Sequence, residues 1–165
     1  MLRVSVALSL VSHSTEAQSQ RSSASGYRAW LGAGIGGSGR SGVSVAWEAW
    51  VSRGALGIGY QGSATDDYSL TAHEARSLLV GANIPRGRLL GRAAAGVASA
   101  RRCRWQGEQS GLKTCTSARK PEFAVSLDVL LNSYFAIHTS YFDIPSKSVG
   151  HSALLIGFIA GRIGT

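Results

Sequence analysis

Eight segments of this sequence alternate between apolar residues and small or polar ones, and this alternation limits the fold more than any other feature. The clearest segment is residues 123–131, where Phe123 and Leu127 fall on one side and Ser126 and Asp128 on the other. A period of two residues is typical of a β-strand with two different faces. We therefore predict an all-β chain.

The alternating segments are separated by polar or glycine-rich breaks of unequal length. The predicted strands are residues 27–36, 43–52, 55–62, 73–84, 88–100, 123–131, 135–141 and 152–163. Connections after the second, fourth and sixth strands are tight. Those after the third, fifth and seventh are long, at residues 63–72, 101–121 and 143–150, and the first is intermediate. Tight turns at one end and longer loops at the other predict an eight-stranded antiparallel up-and-down transmembrane β-barrel.

Composition agrees with a barrel whose apolar side chains face lipid. Charged residues make up only 16% of the chain, Gly contributes 21 residues, and no window is long and apolar enough for a transmembrane helix. The apolar side carries aromatic residues such as Trp47, Tyr60 and Phe158. Membrane barrels have such residues in aromatic girdles on their lipid-facing side. A soluble ligand-binding barrel is the alternative, and it requires the side carrying Trp47, Leu127 and Ile156 to face inward.

In this pattern the chain resembles the eight-stranded outer-membrane barrels of the OmpA/OmpX type, over about residues 27–163. The resemblance implies a location in the cell outer membrane, contact with outer-membrane lipid or lipopolysaccharide, and assembly by the barrel assembly machinery. Such barrels usually end in an aromatic residue that this machinery reads, whereas this chain ends in Ile163-Gly164-Thr165. We expect a monomer without a cofactor.

The N-terminal segment is predicted to be a signal peptide over residues 1–17. Arg3 supplies a minimal basic region, residues 4–11 an apolar core, and Thr15-Glu16-Ala17 a cleavage site. Residues 18–26 are predicted to form a flexible leader, and residues 27–165 the barrel domain. A disordered tail or a misassigned start is the alternative for the first segment.

Four ionisable residues fall on the side predicted to face the lumen: Glu48, Arg92, Asp128 and His138. Each lies about five residues from a tight turn, so comparable depths in the barrel are expected. Because a buried charge is tolerated only when it is paired, we predict an Arg92–Asp128 contact completed by Glu48 and His138. The cluster either fills the lumen or acts as the gate of a narrow channel.

His138 and Ser140 share one face and resemble the His-x-Ser pair of outer-membrane lipid A deacylases, which are also eight-stranded barrels. That family supplies a Glu from the next strand, where this chain has His151, and Asp143 is a poor substitute. In that family the pair faces lipid, whereas the alternation here places it inside. A lipid deacylase is therefore kept only as an alternative to a non-enzymatic barrel with a structural or surface-interaction role.

The two cysteines, Cys103 and Cys115, lie in one polar segment. Export would allow them to form a disulfide that closes a loop. No metal is expected, since two cysteines without neighbouring His or further Cys make a poor zinc site.

The same segment carries much of the positive charge of a chain whose net charge is +8. Its cations, grouped with Trp105, are Arg101, Arg102, Arg104, Lys113, Arg119 and Lys120. On a membrane barrel the nearest polyanion is lipopolysaccharide phosphate, so we predict contact with anionic lipid and not with nucleic acid. A solvated loop without a specific partner is the alternative.

Overall fold

The chain forms one closed antiparallel β-barrel in which every strand pairs with its neighbours in the sequence. The computed structural model describes residues 26–38, 42–67, 70–105 and 113–163, so the predicted signal peptide and nearly all of the predicted leader lie outside the described residues. The strands are β1 (Tyr27–Ser38), β2 (Gly42–Arg53), β3 (Leu56–Asp67), β4 (Thr71–Arg86), β5 (Leu89–Trp105), β6 (Lys113–Leu130), β7 (Phe135–Asp143) and β8 (Ser152–Arg162). β8 pairs with β1 and closes the barrel, which confirms the predicted fold class.

The two faces of the strands follow the predicted alternation, with the apolar face outward. Trp47 and Leu127 are each 49% exposed, and Ile156 is 60% exposed, whereas their neighbours Glu48 and Asp128 are buried. A barrel that hides its charges and exposes its aliphatic side chains is built for an apolar surrounding. The soluble-barrel alternative, which required these three residues inside, is therefore wrong.

Three tight turns share one end of the barrel, as predicted. Gly54 and Gly87 adopt φ angles of 61° and 60° in the turns after β2 and β4, a conformation that glycine adopts without a steric penalty. In the turn after β6, the Oδ1 atom of Asn132 accepts hydrogen bonds from the backbone N–H groups of Tyr134 and Phe135, at 2.8 and 2.9 Å. This side-chain acceptor replaces a backbone partner and fixes the turn.

At the opposite end, much of what was predicted as loop is strand. Residues 63–67, 101–105 and 113–121 continue β3, β5 and β6, and pairing extends to Trp105 opposite Lys113. The hydrophobic alternation stops there because both faces lie above the apolar belt, but the backbone ladder continues. The resulting two-stranded extension, residues 101–105 with 113–117, is called the β5–β6 ribbon below.

Within the described ranges, the interior holds two buried apolar clusters. One includes Trp30, Trp50 and Ile159 in the body of the barrel. The other contains Ile144 and Val149, which pack with three alanines of β4 and β5, so the connection after β7 folds inward across the mouth. No helix long and apolar enough to cross a bilayer is found in the ranges that the structure describes.

Candidate functional site in the lumen and at the outer rim

An ion pair crosses the lumen between β2 and β5. The Nη2 atom of Arg92 lies 2.6 Å from the Oε2 atom of Glu48, and both residues are buried. The Arg92 guanidinium stacks over the Trp50 ring at 4.6 Å and lies 5.8 Å from that of Trp30, whose indole N–H donates to Glu48 Oε1 at 3.3 Å. Two indoles therefore surround a paired charge and shield it from water, which strengthens both the ion pair and the cation–π contact.

A second pair joins neighbouring strands. His138 Nδ1 lies 2.5 Å from Asp128 Oδ1, and the two residues stand directly opposite each other on β6 and β7. The predicted Arg92–Asp128 contact is therefore wrong in its partner, although all four residues do lie inside. The register explains the difference, because Leu90, not Arg92, stands opposite Asp128, so Arg92 reaches across the lumen instead.

The deacylase-like residues are only partly brought together. Asp128 orients His138 as an acid orients a catalytic base, but Ser140 faces the interior beside a cavity of only about 10 Å³. A void of that size holds about one water molecule, so a lipid ester has no space to approach the hydroxyl. His151, at the position where the deacylases supply Glu, lies at the mouth and contacts Ser63 at 3.4 Å between Nε2 and Oγ.

The mouth contains a pair of imidazoles that sequence reasoning missed. The His73 and His151 rings lie tilted at 41° to each other, with centroids 5.3 Å apart, beside a polar cavity of about 270 Å³. His151 lies in the connection after β7, outside the strands. Burial lowers its pKa to about 4, and the neighbouring His73 contributes a second, smaller part of this shift. His73 shares the side of Ser77 on β4, so the alternation alone could have placed it inside.

A buried glutamate was also missed, because the predicted sixth strand begins at Phe123, directly after it, whereas β6 begins at Lys113. Glu122 is 1% exposed and accepts a hydrogen bond from Ser77 across the interior. Glu122 is six residues before Asp128 and therefore falls on the same face of the strand. This alternation could have predicted that Glu122 points into the lumen. Among the described residues no three His, Cys, Asp or Glu side chains are grouped as a metal ion would need.

The two cysteines form the predicted disulfide within the β5–β6 ribbon. Cys103 and Cys115 stand opposite each other, with Cα atoms 4.1 Å apart. The Arg101 guanidinium donates to the Cys115 sulfur at 3.4 Å, and the Lys113 Nζ lies 4.5 Å from the centre of the Trp105 ring. The disulfide therefore links the two strands of the ribbon and closes the chain between them.

The predicted basic cluster is divided between two faces by the same alternation. Arg101 and Arg119 are exposed on the outer wall, and Lys113 and Arg104 are exposed towards the end of the ribbon. Arg102 and Lys120 are only partly exposed. They lie on the face of their strands that, further down the barrel, points into the lumen. Only part of the cluster can therefore meet lipid.

A further arginine joins the outward-facing ones. Residues that stand opposite each other on successive strands form rows around the barrel, and one row runs through Gly62, Arg76, Ser99 and Arg119. The row below it is apolar and exposed, and consists of Tyr60, Leu78, Val97 and Pro121; the row above contains Arg101. Arg76, Arg101 and Arg119 therefore lie just above the apolar belt, and we call them the outer arginine patch.

Comparison of the sequence with protein-family models and with curated proteins gives no match. Solved structures with a similar fold include Neisserial surface protein A, with a TM-score of 0.60 and 14% identity over 82% of this chain and 97% of that one. The N-terminal β-barrel domain of Pseudomonas aeruginosa OprF gives a TM-score of 0.64 at 9% identity, over 83% of this chain and 98% of that domain. Ail, the attachment invasion locus protein of Yersinia pestis, gives 0.52 at 13% identity, over 82% and 97%.

These likenesses are of fold, and they agree with the exposed apolar belt and the charged interior of this chain. Ail has also been solved as an outer-membrane protein in a phospholipid bilayer nanodisc, with a TM-score of 0.55 to this chain. The chain therefore has the fold of the eight-stranded outer-membrane β-barrels of the OmpA/OmpX type.

Proposed function

We propose that this protein is a non-enzymatic outer-membrane barrel whose outward-facing arginines bind the phosphate groups of outer-leaflet lipopolysaccharide. The observation that carries the proposal is the position of the outer arginine patch, with Arg76 and Arg119 one row above the exposed apolar belt and Arg101 two rows above it. At that depth a side chain meets the polar headgroups and not the hydrocarbon chains. Arg binds phosphate with two parallel hydrogen bonds, so a fixed set of guanidiniums favours a phosphate-bearing lipid over a neutral one.

The spacing of the patch suits a single anionic headgroup. Arg76 and Arg119 lie two strands apart, with Ser99 between them, which places their backbones ~10 Å apart at the usual strand separation. Arg101 lies one row higher on the strand that separates them. Long flexible side chains from three such positions can converge on a phosphate, and the Ser99 hydroxyl is available as a further donor.

A structural role without transport is supported by the interior. The Glu48–Arg92 pair, with its two indoles, occupies the body of the lumen, and Ile144 and Val149 cover the mouth. Eight strands leave a lumen only wide enough for side chains. We infer a closed lumen, a monomer whose strand edges are all paired within the barrel, and assembly by the barrel assembly machinery.

A polyanion outside the membrane is the second candidate partner. Ail has been solved in complex with the heparin analogue sucrose octasulfate, at 11% identity and a TM-score of 0.54 to this chain. Here the ribbon holds exposed Arg104 and Lys113 above the outer arginine patch, with Trp105 beneath the Lys113 ammonium. These residues are the ones that a sulfated polysaccharide would reach.

The test removes charge at the two ends of the barrel separately. In the double variant Arg101→Gln/Arg119→Gln, retention of lipopolysaccharide at low salt is expected to fall about 30-fold, since each cation near an anionic surface contributes ~1 kcal/mol. The matched control, Arg86→Gln/Arg88→Gln, removes two exposed arginines at the tight-turn end and leaves retention unchanged. Cosedimentation with lipopolysaccharide micelles measures it, and added salt should weaken wild-type binding.

Two results decide between the candidates. An equal loss of lipopolysaccharide retention in Arg101→Gln/Arg119→Gln and in the control Arg86→Gln/Arg88→Gln would overturn the proposed site. Lipopolysaccharide retention that does not depend on lipid phosphate would also overturn it. A ribbon variant, Arg104→Gln/Lys113→Gln, that loses heparin binding but keeps lipopolysaccharide would assign the two anions to different parts of the outer surface.

A further inference from the structure

The outer wall carries a groove of about 930 Å³ across β8, β1, β2, β3 and β4. Phe158 and Ile156 border it on β8, Trp47 and Tyr60 on β2 and β3, and Ala33 lies between them. Its volume falls within the range of small-molecule clefts, ~300–1,000 Å³. A barrel wall that only had to meet bulk lipid would not need a depression of this size.

Small residues placed between aromatic ones create the groove. By register, Ala33 stands between Phe158 and Trp47, and Gly62 stands on the far side of Trp47. A Cβ atom at Gly62 would lie 2.5 Å from the Trp47 indole, so the absence of a side chain there allows the indole to lie flat across β3. Its ring centroid is then 5.4 Å from that of Tyr60, and the space over Ala33 stays open.

The groove rises from the hydrocarbon region towards the headgroups. The row through Phe158, Ala33, Trp47 and Gly62 continues to Arg76, which also lines the groove. Phe158 is four residues from the end of β8 at Arg162, whereas Arg76 is ten residues from the end of β4 at Arg86, so the row climbs away from the tight-turn end. Its length across four strand spacings is ~19 Å, slightly more than half the thickness of a hydrocarbon core.

Two opposite charges, Glu74 and Arg76, line the upper end, and Arg101 stands opposite Glu74 on β5, outside the groove. Glu74 lines the groove beside Arg76, two residues away on the same outward face, and is exposed as Arg76 is. In the described part of the chain neither side chain forms an ion pair within 4.0 Å. Two residues along a strand separate their backbones by ~7 Å, which places a cation and an anion side by side at headgroup depth.

From this arrangement we propose that the groove binds one phospholipid molecule whose headgroup carries both a phosphate and a primary ammonium, of the phosphoethanolamine class. One acyl chain lies over Ala33 between Phe158 and Trp47, the phosphate accepts hydrogen bonds from Arg76, and the ammonium donates to Glu74. A purely anionic headgroup meets repulsion from Glu74, and a headgroup without N–H donors cannot hydrogen-bond to it. The inference rests on the proposed lipid-binding role and shares Arg76 with the outer arginine patch, whereas Glu74, Ala33 and Trp47 belong to the groove alone.

The experiment measures lipid retention on the folded full chain in detergent by native mass spectrometry, with phosphatidylethanolamine, phosphatidylglycerol and phosphatidylcholine of matched acyl chains. Wild type is expected to hold phosphatidylethanolamine about 5-fold or more tightly than either of the others, as one additional charged contact near the surface provides. Glu74→Gln should abolish the preference over phosphatidylglycerol. Arg76→Gln should weaken both of these phospholipids.

Filling the groove tests the acyl-chain site. Ala33→Leu should weaken all three lipids regardless of headgroup, while Ala95→Leu, an outward-facing alanine on β5, leaves them unchanged. Equal retention of the three lipids by wild type, or equal effects of the two leucine variants, would overturn the proposal. Arg119→Gln, which leaves Glu74, Arg76 and the opposing Arg101 in place, should weaken lipopolysaccharide binding without altering phosphatidylethanolamine retention, so failure of the lipopolysaccharide site and failure of the groove are separate results.

Discussion

Arg92 shows how a single charged residue can be accommodated inside a barrel with little room for water. Its guanidinium has a carboxylate at 2.6 Å on one side and the Trp50 ring at 4.6 Å on another. Buried charge is costly when it is unpaired, so the two indoles and Glu48 act together to make Arg92 tolerable at that position. The same neighbours make Glu48 the residue whose loss the barrel should tolerate least.

Glu48→Leu is expected to destabilise the barrel by about 3–5 kcal/mol, because it leaves the Arg92 charge buried without a counter-charge. The double variant Glu48→Leu/Arg92→Met removes both charges and should recover most of that loss. Urea unfolding in lipid vesicles, followed by tryptophan fluorescence, measures the free energy of unfolding. Asp66→Ala, at an exposed outward position, is the control and should stay within about 0.5 kcal/mol of wild type.

At this scale the sequence predicts which side a residue takes but not its partner. Strict alternation placed Glu48, Arg92, Asp128 and His138 inside, because a side-chain period of two leaves no other choice once the apolar face is outward. Partner choice depends on the stagger between strands, and no local pattern states that Leu90 stands opposite Asp128. Arg76 was missed for a related reason, since its significance depends on the height of its row above the apolar belt.

At the scale of elements, the connection between β7 and β8 has the least regular sequence and an important position. Ile144 and Val149 are buried at 1% and 0%, and the backbone N–H of Ile144 donates to the His151 carbonyl oxygen at 3.0 Å, so the segment returns close to its start. The sequence predicted a loop here and nothing about its direction, because two isolated apolar residues carry no period. Strands β3, β5 and β6 are longer than predicted for the opposite reason. Their outer parts contain polar residues without hydrophobic alternation, although the backbone ladder there is regular.

Acid is expected to loosen this connection between about pH 6.5 and pH 4. Because the pKa of His151 is lowered from 6.5 to about 4, an open form binds a proton in this range while the closed form does not. The stability of the closed form is constant above about pH 6.5. It decreases as the pH falls from 6.5 to about 4, and it decreases no further below pH 4. The groups facing the cavity from the neighbouring strands are His73, Asp67 and Asp143.

A spin label on Ser148→Cys, at an exposed position of the connection, reports the loosening as increased label mobility. In a His151→Gln background the label should show no change across this window, because glutamine does not titrate. A label on Asn132→Cys, at the other end of the barrel, is the control for general unfolding. Identical pH profiles with and without His151 would contradict the assignment.

For the whole molecule, the fold could be predicted almost completely from the sequence, whereas the filling of its interior could not. Eight alternating segments and alternating turn lengths suffice for the topology, because antiparallel neighbours joined by tight turns leave few other arrangements. The interior is filled at two separate levels. Strands β2 and β5 contribute the Glu48–Arg92 layer, and the connection after β7 contributes the Ile144–Val149 cover. This duplication leads to a specific expectation about conductance.

Wild type is expected to be silent in planar bilayers, and so is each variant that opens only one level. Glu48→Ala/Arg92→Ala keeps the covered mouth, and Ile144→Ala/Val149→Ala keeps the filled body. Only the combination of all four substitutions should give measurable current, provided that heat-modifiable gel migration shows a folded barrel. A conducting wild type, or current from either double variant, would contradict a lumen closed at two levels.

The two interior side-chain pairs differ in how much of the chain must be in place before they can form. Asp128 and His138 are 10 residues apart and meet within one hairpin, whereas Glu48 and Arg92 are 44 residues apart on strands that are not neighbours. The first pair needs only that hairpin, but the second needs the sheet to curl until β2 faces β5. Curling is therefore the step at which Arg92 exchanges water for Glu48 and the indoles. A half-curled sheet gains none of that stabilisation, so this pair favours cooperative, all-or-none closure of the barrel.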